Sequence, residues 1–131
     1  MTGPDTNGLV RHVMQDDPRQ SSRATSLIES LKPDEPGFVP VVVLVELVWV
    51  LSGSYGLDRA QVATVLSTLL RSKELVVDRA EMVTQALKRY SANGADFADA
   101  VMERLSAAAG CSATMTFDAG AVKVAGMTLV R

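Results

Sequence analysis

Glu46 sits inside the most apolar run of the chain, with Val41-Val42-Val43-Leu44-Val45 before it and Leu47-Val48-Trp49-Val50-Leu51 after it. A carboxylate there is expected to lose much of its water, and burying it unpaired would cost several kcal/mol or force it neutral. No Lys, Arg or His lies within ten residues on either side. Its partner must come from a distant stretch or be a metal ion; the other reading is a half-exposed helix with Glu46 facing water. Further acids stand at comparable places. Asp118 follows Thr114-Met115-Thr116-Phe117, where the end of a parallel strand would present it to a ligand. Asp96 and Asp99 are three apart and share a face on a helix. Asp5 precedes the first helical stretch. Helix capping explains Asp5, Asp96 and Asp118 one at a time. Taken together, carboxylates that converge are tolerable only around a cation, and all-oxygen ligation suits Mg²⁺ or Mn²⁺. With one histidine, His12, and one cysteine, Cys111, a zinc site has no ligand set.

The elements that must position these acids follow from spacing. Leu9, Val10, Val13 and Met14 recur at helical intervals, and Pro18 opens a second helix with Ala24, Leu27, Ile28 and Leu31 as its apolar stripe. Lys32 to Gly37 is a turn, and Phe38-Val39-Pro40 is extended. Val41 to Leu51 is read as a buried helix ending near Ser52-Gly53, with Trp49 in the core along with the methionines. Asp58 is expected to cap a helix carrying Val62, Val65, Leu66, Leu69 and Leu70. Leu75-Val76-Val77 reads as a strand, and Asp78 as the cap of a helix carrying Met82, Val83, Ala86, Leu87 and Tyr90 until Asn93-Gly94 stops it. Asp96 caps the next helix, where Ala100, Val101, Leu105 and Ala108 are expected to face inward. Ala113 to Phe117 and Thr128 to Val130 read as strands. Strands alternating with helices make an α/β domain with a mainly parallel sheet.

Composition narrows the classes. The 131 residues suffice for one domain, are 47% hydrophobic and 21% charged, and carry a net charge of −2. That charge argues against a protein that binds nucleic acid mainly by neutralising phosphates, but it suits a nuclease whose acids are offset by a metal. A single cysteine, the absence of a secretory leader and an apolar run too short to span a bilayer point to a cytoplasmic protein without a membrane segment. His12 and Arg11, Arg19 and Arg23 read as helix-surface residues, although the arginines could line an RNA path.

Asp5-Thr6-Asn7, Val45-Glu46-Leu47, Asp96-Phe97-Ala98-Asp99-Ala100 and Thr116-Phe117-Asp118 resemble, in order and spacing, the successive motifs of PIN-domain proteins. Gln15-Asp16-Asp17-Pro18 and Gly94 to Asp99 are similar to the VapC-type toxin branch. The resemblance covers essentially the whole chain. It implies a single PIN-like domain over residues 1–131, folded as a three-layer α/β/α sandwich with a mainly parallel sheet. It implies an endoribonuclease using Mg²⁺ or Mn²⁺, the toxin of a toxin–antitoxin pair. Asp5, Glu46, Asp99 and Asp118 would be the catalytic, metal-holding acids and Asp96 a further metal ligand. Thr116, and Thr6 or Asn7, would orient the carboxylates. Its partners would be RNA, a cognate antitoxin and a second copy of itself in a homodimer. The chain departs from the pattern at Met1-Thr2-Gly3-Pro4, where members open with an apolar strand; Gly and Pro are poor strand residues, so a frayed first strand is expected. That departure keeps open a catalytically degenerate PIN domain that binds a partner without cutting. A receiver domain would need a late lysine beside the acids, for which only Lys123 stands, and a haloacid-dehalogenase-type phosphatase would need Asp where Asn7 is.

Overall fold

Side-chain oxygens fix where most helices of this chain begin. Asp5, Asp17, Asp58, Asp96 and Asp118 each accept a backbone N–H from the first turn that follows. Such a bond satisfies one of the amides a helix start leaves unpaired. At Asp58 the cap is reciprocal: Gln61 donates its amide to Asp58, and its side chain accepts from the Asp58 N–H. The computed structural model describes residues 1–131, which divide into two units, Met1–Asp78 and Arg79–Arg131.

The first unit runs α1 (Thr6–Met14), α2 (Pro18–Ser30), β1 (Gly37–Val39), α3 (Val41–Gly53), α4 (Arg59–Arg71) and β2 (Leu75–Val77). Strands β1 and β2 pair in parallel, Gly37 opposite Leu75 and Val39 opposite Val77. Helix α1 packs on α2 and α3, and α4 on α3 and β2. Leu9, Val39, Leu44, Leu47, Leu51, Val62 and Leu66 are fully buried. Ahead of α1, the expected frayed strand is a single parallel bridge from Thr2 to Gly37, with the Phe38 N–H donating to the Thr2 carbonyl at 2.7 Å. Gly3 is there for space: a Cβ would lie 2.5 Å from the Phe38 carbonyl oxygen. Close passage along β1 explains a glycine where an apolar strand residue was expected.

The second unit runs α5 (Ala80–Asn93), α6 (Phe97–Ala108), β3 (Met115–Thr116), α7 (Ala119–Val124) and β4 (Thr128–Leu129). Here β3 and β4 pair in parallel, α5 packs on α6, and α7 packs on both strands. Tyr90 and Phe97 meet edge to face, ring centroids 6.1 Å apart. Gly94, at φ 74°, adopts the left-handed conformation that ends α5.

The fold class is thus α/β with parallel strands, as the sequence implied. Several local expectations fail for physical reasons. Helix α3 is apolar all round in sequence yet only half buried: Val43, Leu44, Leu47, Val48 and Leu51 face inward, while Val42, Glu46 and Trp49 form an exposed stripe at i, i+4 and i+7, Trp49 being 77% exposed. Of the methionines only Met127 is buried. The α2 stripe is shallow, with Leu27 exposed and only Ser21 of the helix buried. Asp78 does not cap α5: its N–H donates to the Val39 carbonyl at 2.9 Å and prolongs the β ladder, and the helix starts one residue later, after Arg79, which turns the chain at φ 54°. On α6, Ala108 is exposed and Leu105 half-buried, and Glu103 takes the buried position instead. The strand expected over 113–117 shrinks to two residues, since β4 offers only Thr128 and Leu129 as partners. No helix is long and apolar enough to cross a membrane.

Candidate active site

In the first unit, Asp5 and Glu46 line one cavity of about 590 Å³. Asp5 reaches it because it caps α1, its Oδ1 accepting the Gly8 N–H at 2.8 Å. Glu46 reaches it from the exposed stripe of α3, so it is a solvated carboxylate and not the desolvated one its neighbours in sequence suggested. Arg11 and Tyr55 line the same cavity. The Tyr55 hydroxyl donates to Asp16 Oδ2 at 2.6 Å, and Arg11 Nη1 lies 3.2 Å from Asp16 Oδ1. The Tyr55 hydrogen bond, ahead of that from Arg11, holds the Asp16 carboxyl below its ordinary range, while the same bond to Asp16 raises the Tyr55 hydroxyl above its own.

In the second unit the acids sit at two helix starts. Asp96 Oδ1 accepts the Asp99 N–H at 3.0 Å, Asp118 Oδ1 accepts the Gly120 N–H at 2.8 Å, and Thr116 Oγ1 accepts the Asp118 N–H at 3.0 Å. Thr116 therefore orients Asp118 through its backbone rather than its carboxylate. Asp99 lies half-buried in the first turn of α6. Burial, and then the charges of Asp96 and Asp118, push its carboxyl above the ordinary value. The sequence-predicted acids are thus brought together in part, Asp96, Asp99 and Asp118 in one unit, and Asp5 and Glu46 in the other.

The donor set is entirely hard oxygen, which matches Mg²⁺ or Mn²⁺ and not zinc. Asp99, crowded by two like charges, is the carboxylate whose electrostatics a cation would relieve. Within either unit, no three His, Cys, Asp or Glu side chains are closed tightly enough to hold an ion as they stand. Asp5, Asp96 and Asp118 each give one oxygen to a helix cap and have the other free.

Two groupings escaped the sequence. The Arg11–Asp16–Tyr55 cluster joins residues far apart in the chain, so no local pattern announces it. The second is a buried hub on α6: Glu103 Oε2 accepts from Arg89 Nη1 at 2.7 Å and Arg104 Nε at 2.6 Å, and Arg89 Nη1 also donates to the Ala125 carbonyl at 2.8 Å. The hub ties the helix bearing Asp99 to α5 and to the end of α7, the helix that Asp118 caps. Cys111 is exposed, and His12 is half-buried, its Nδ1 3.1 Å from Thr25 Oγ1.

A comparison with curated proteins found no match. The PIN-domain family model, however, matches residues 4–127, which takes in every acid described above, and the chain therefore belongs to the PIN-domain family.

Proposed function

We propose that this chain, as one domain over residues 1–131, is an endoribonuclease dependent on Mg²⁺ or Mn²⁺ and the toxin of a toxin–antitoxin pair. PIN domains are generally nucleases and typically bind a divalent metal. The observation that carries the reading to this chain is Asp99, half-buried beside two further carboxylates at helix starts. The acids assigned to catalysis are Asp5, Glu46, Asp99 and Asp118, with Asp96 as a further metal ligand. These acids would be the ligands of a divalent cation, which when bound would supply a more acidic water and neutralise charge on the phosphate. A carboxylate with an unengaged oxygen would be the group to take a proton from the attacking water. The helix caps hold the carboxylates of Asp5, Asp96 and Asp118 at fixed positions before substrate arrives.

A cognate antitoxin and a second copy of the chain are the proposed protein partners, and the cytoplasm the proposed location. Light scattering would give the mass of the assembly. A PIN domain that binds a partner without cutting is the second reading, favoured by the Met1-Thr2-Gly3-Pro4 start, which makes a single bridge to Gly37 where members open with an apolar strand. Incubation with a structured RNA panel and Mg²⁺ or Mn²⁺, beside an EDTA control and the Glu46→Gln and Asp99→Asn variants, separates the two. Products that vanish with EDTA and in both variants are expected. An intact RNA panel, with no Mn²⁺ bound by the same samples, would overturn the nuclease reading in favour of the second.

A further inference from the structure

Arg11 stands at the junction of two cavities. One, of about 590 Å³, is lined by Asp5 and Glu46. The other, of about 280 Å³, is lined by Arg23 and Gln20. Asp5, Asn7 and Arg11 line both. In a chain of net charge −2, Arg11, paired with Asp16, and Arg23 place two guanidinium groups along the groove that leads to two of the proposed catalytic acids.

The Arg11 fork is held from several sides. Its Nε donates to Gln20 Oε1 at 2.9 Å, and its Nη1 lies 3.2 and 3.3 Å from the two Asp16 oxygens and 3.4 Å from the Tyr55 hydroxyl. Tyr55 in turn fixes Asp16 at 2.6 Å. Every one of these bonds uses Nε or Nη1, which leaves both Nη2 hydrogens for another acceptor. A guanidinium immobilised this way loses little side-chain entropy when an anion binds, and its planar donors match a phosphate better than an ammonium does. Arg23 is exposed and engaged by no side chain.

Resting on the nuclease reading, we infer that Arg11 and Arg23 hold the phosphodiester backbone of single-stranded RNA on its way to the Asp5–Glu46 cavity. Arg11 is the fixed contact beside the acids and Arg23 the outer one. Asp16, Tyr55 and Gln20 are positioning residues that act through Arg11. A cavity of this size is within the range that takes a nucleotide-sized ligand.

The test measures binding of a fluorescein-labelled, mixed-sequence single-stranded RNA of about 12 nucleotides by anisotropy across a salt series with Mg²⁺. The background is Asp99→Asn, whose change lies outside both cavities. Arg11→Ala is expected to weaken binding about tenfold, the effect of one charge-assisted hydrogen bond, and to flatten the log–log salt dependence by about 0.7, the slope that one neutralised phosphate of a single strand supplies. Arg23→Ala, which disturbs no hydrogen bond of the cluster, is expected to weaken binding about threefold and to flatten the slope likewise. Arg11→Lys should keep the slope and lose part of the affinity. If Arg11→Ala lowered only the melting temperature, and both Arg23→Ala and Arg11→Lys kept background affinity and slope, the cluster would be a structural clamp and the inference would fall. A Glu-rich peptide of similar length serves as the competing ligand. Arg11-dependent capture of that peptide without RNA binding would overturn the inference in favour of a protein partner. Failure of the background protein to bind any RNA, with wild type cutting none, would overturn the nuclease reading itself; cutting by wild type with Arg11 and Arg23 indifferent would overturn this inference alone.

Discussion

Replacing Glu103 by Gln should destabilise the fold by about 2–3 kcal/mol while altering no candidate metal ligand. The Glu103 side chain is only 11% exposed and accepts three hydrogen bonds of 2.6–2.7 Å, from Arg89 Nη1, Arg104 Nε and Arg104 Nη2. Hydrogen bonds to charged groups each contribute about 1.5–3 kcal/mol. An amide keeps one acceptor oxygen and turns an NH₂ toward guanidinium donors, so one or two of the three bonds go. Both arginine side chains keep 26% exposure and regain some water, which limits the loss. At about 2.1 cal/mol/K of unfolding entropy per residue, a chain of 131 residues moves about 4 °C per kcal/mol, so the melting temperature should fall by about 8–12 °C at pH 7. The pH dependence gives an independent check. The hydrogen bond from Arg104, and then that from Arg89, hold the Glu103 carboxyl below its ordinary value of 4.5. A carboxyl lowered in the folded state stabilises above its unfolded pKa, and that contribution disappears as pH falls through the folded value. The difference between wild type and variant should therefore be full above about pH 5 and shrink in more acidic buffer. Calorimetric or fluorescence melts of both proteins from pH 7 to pH 3 measure it. A shift under about 2 °C at pH 7, or a gap unchanged down to pH 3, would refute the argument.

Gly3→Ala should cost about 1–2 kcal/mol, because the new Cβ meets the Phe38 carbonyl oxygen at 2.5 Å and the backbone must give way; urea melts would check this, and unchanged stability would mean the segment ahead of α1 moves freely. Ser21→Ala should stabilise by up to about 1 kcal/mol, because the Ser21 hydroxyl is buried without a hydrogen-bond partner; the midpoint of the same melts decides it. Asp99→Asn should raise the metal-free melting temperature slightly, by removing one of three like charges, and should abolish the stabilisation that added Mg²⁺ gives wild type; thermal melts with and without Mg²⁺ would show a wild-type rise only. Asp118→Asn should leave stability within about 0.5 kcal/mol, since Asn caps as well as Asp, and should lose RNA cleavage, whereas Asp118→Ala should also lose about 1 kcal/mol in urea melts.

The helices and their order were legible in sequence because their signals are local. Caps at Asp58 and Asp96, the stop at Gly94 and the apolar spacing of α4 and α5 each act within a few residues. Burial was less legible. In α3 every position but one near the centre is apolar, so periodicity could not separate the inner face from the stripe of Val42, Glu46 and Trp49. The reading of Glu46 as a desolvated acid failed for that reason alone: chain neighbours are not spatial neighbours on a helix, where adjacent residues point about 100° apart. Long-range pairs such as Glu103 with Arg89 and Asp16 with Tyr55 left no trace, since each lies in an ordinarily charged or polar stretch.

The acids themselves were the hardest to interpret from sequence because two roles fall on the same residues. Capping and metal binding both call for a short carboxylate at the start of a helix: the cap needs an acceptor for a first-turn amide, and the cation needs an anionic oxygen held still. In Asp5, Asp96 and Asp118 the structure shows one oxygen meeting the first demand. A carboxylate has lone pairs for both, so a filled cap is no argument against a ligand. Capping in fact lowers the cost of ligation, because the carboxylate has already given up rotamer freedom to the fold. Asp99 differs, being a half-buried acid whose own side chain caps nothing and whose charge the neighbouring carboxylates oppose. Its place in the first turn of α6 offsets part of that cost through the helix dipole, but a neutral hydrogen-bonding residue would avoid the repulsion. The local energetics thus favour a functional role at Asp99 and are neutral about the other acids.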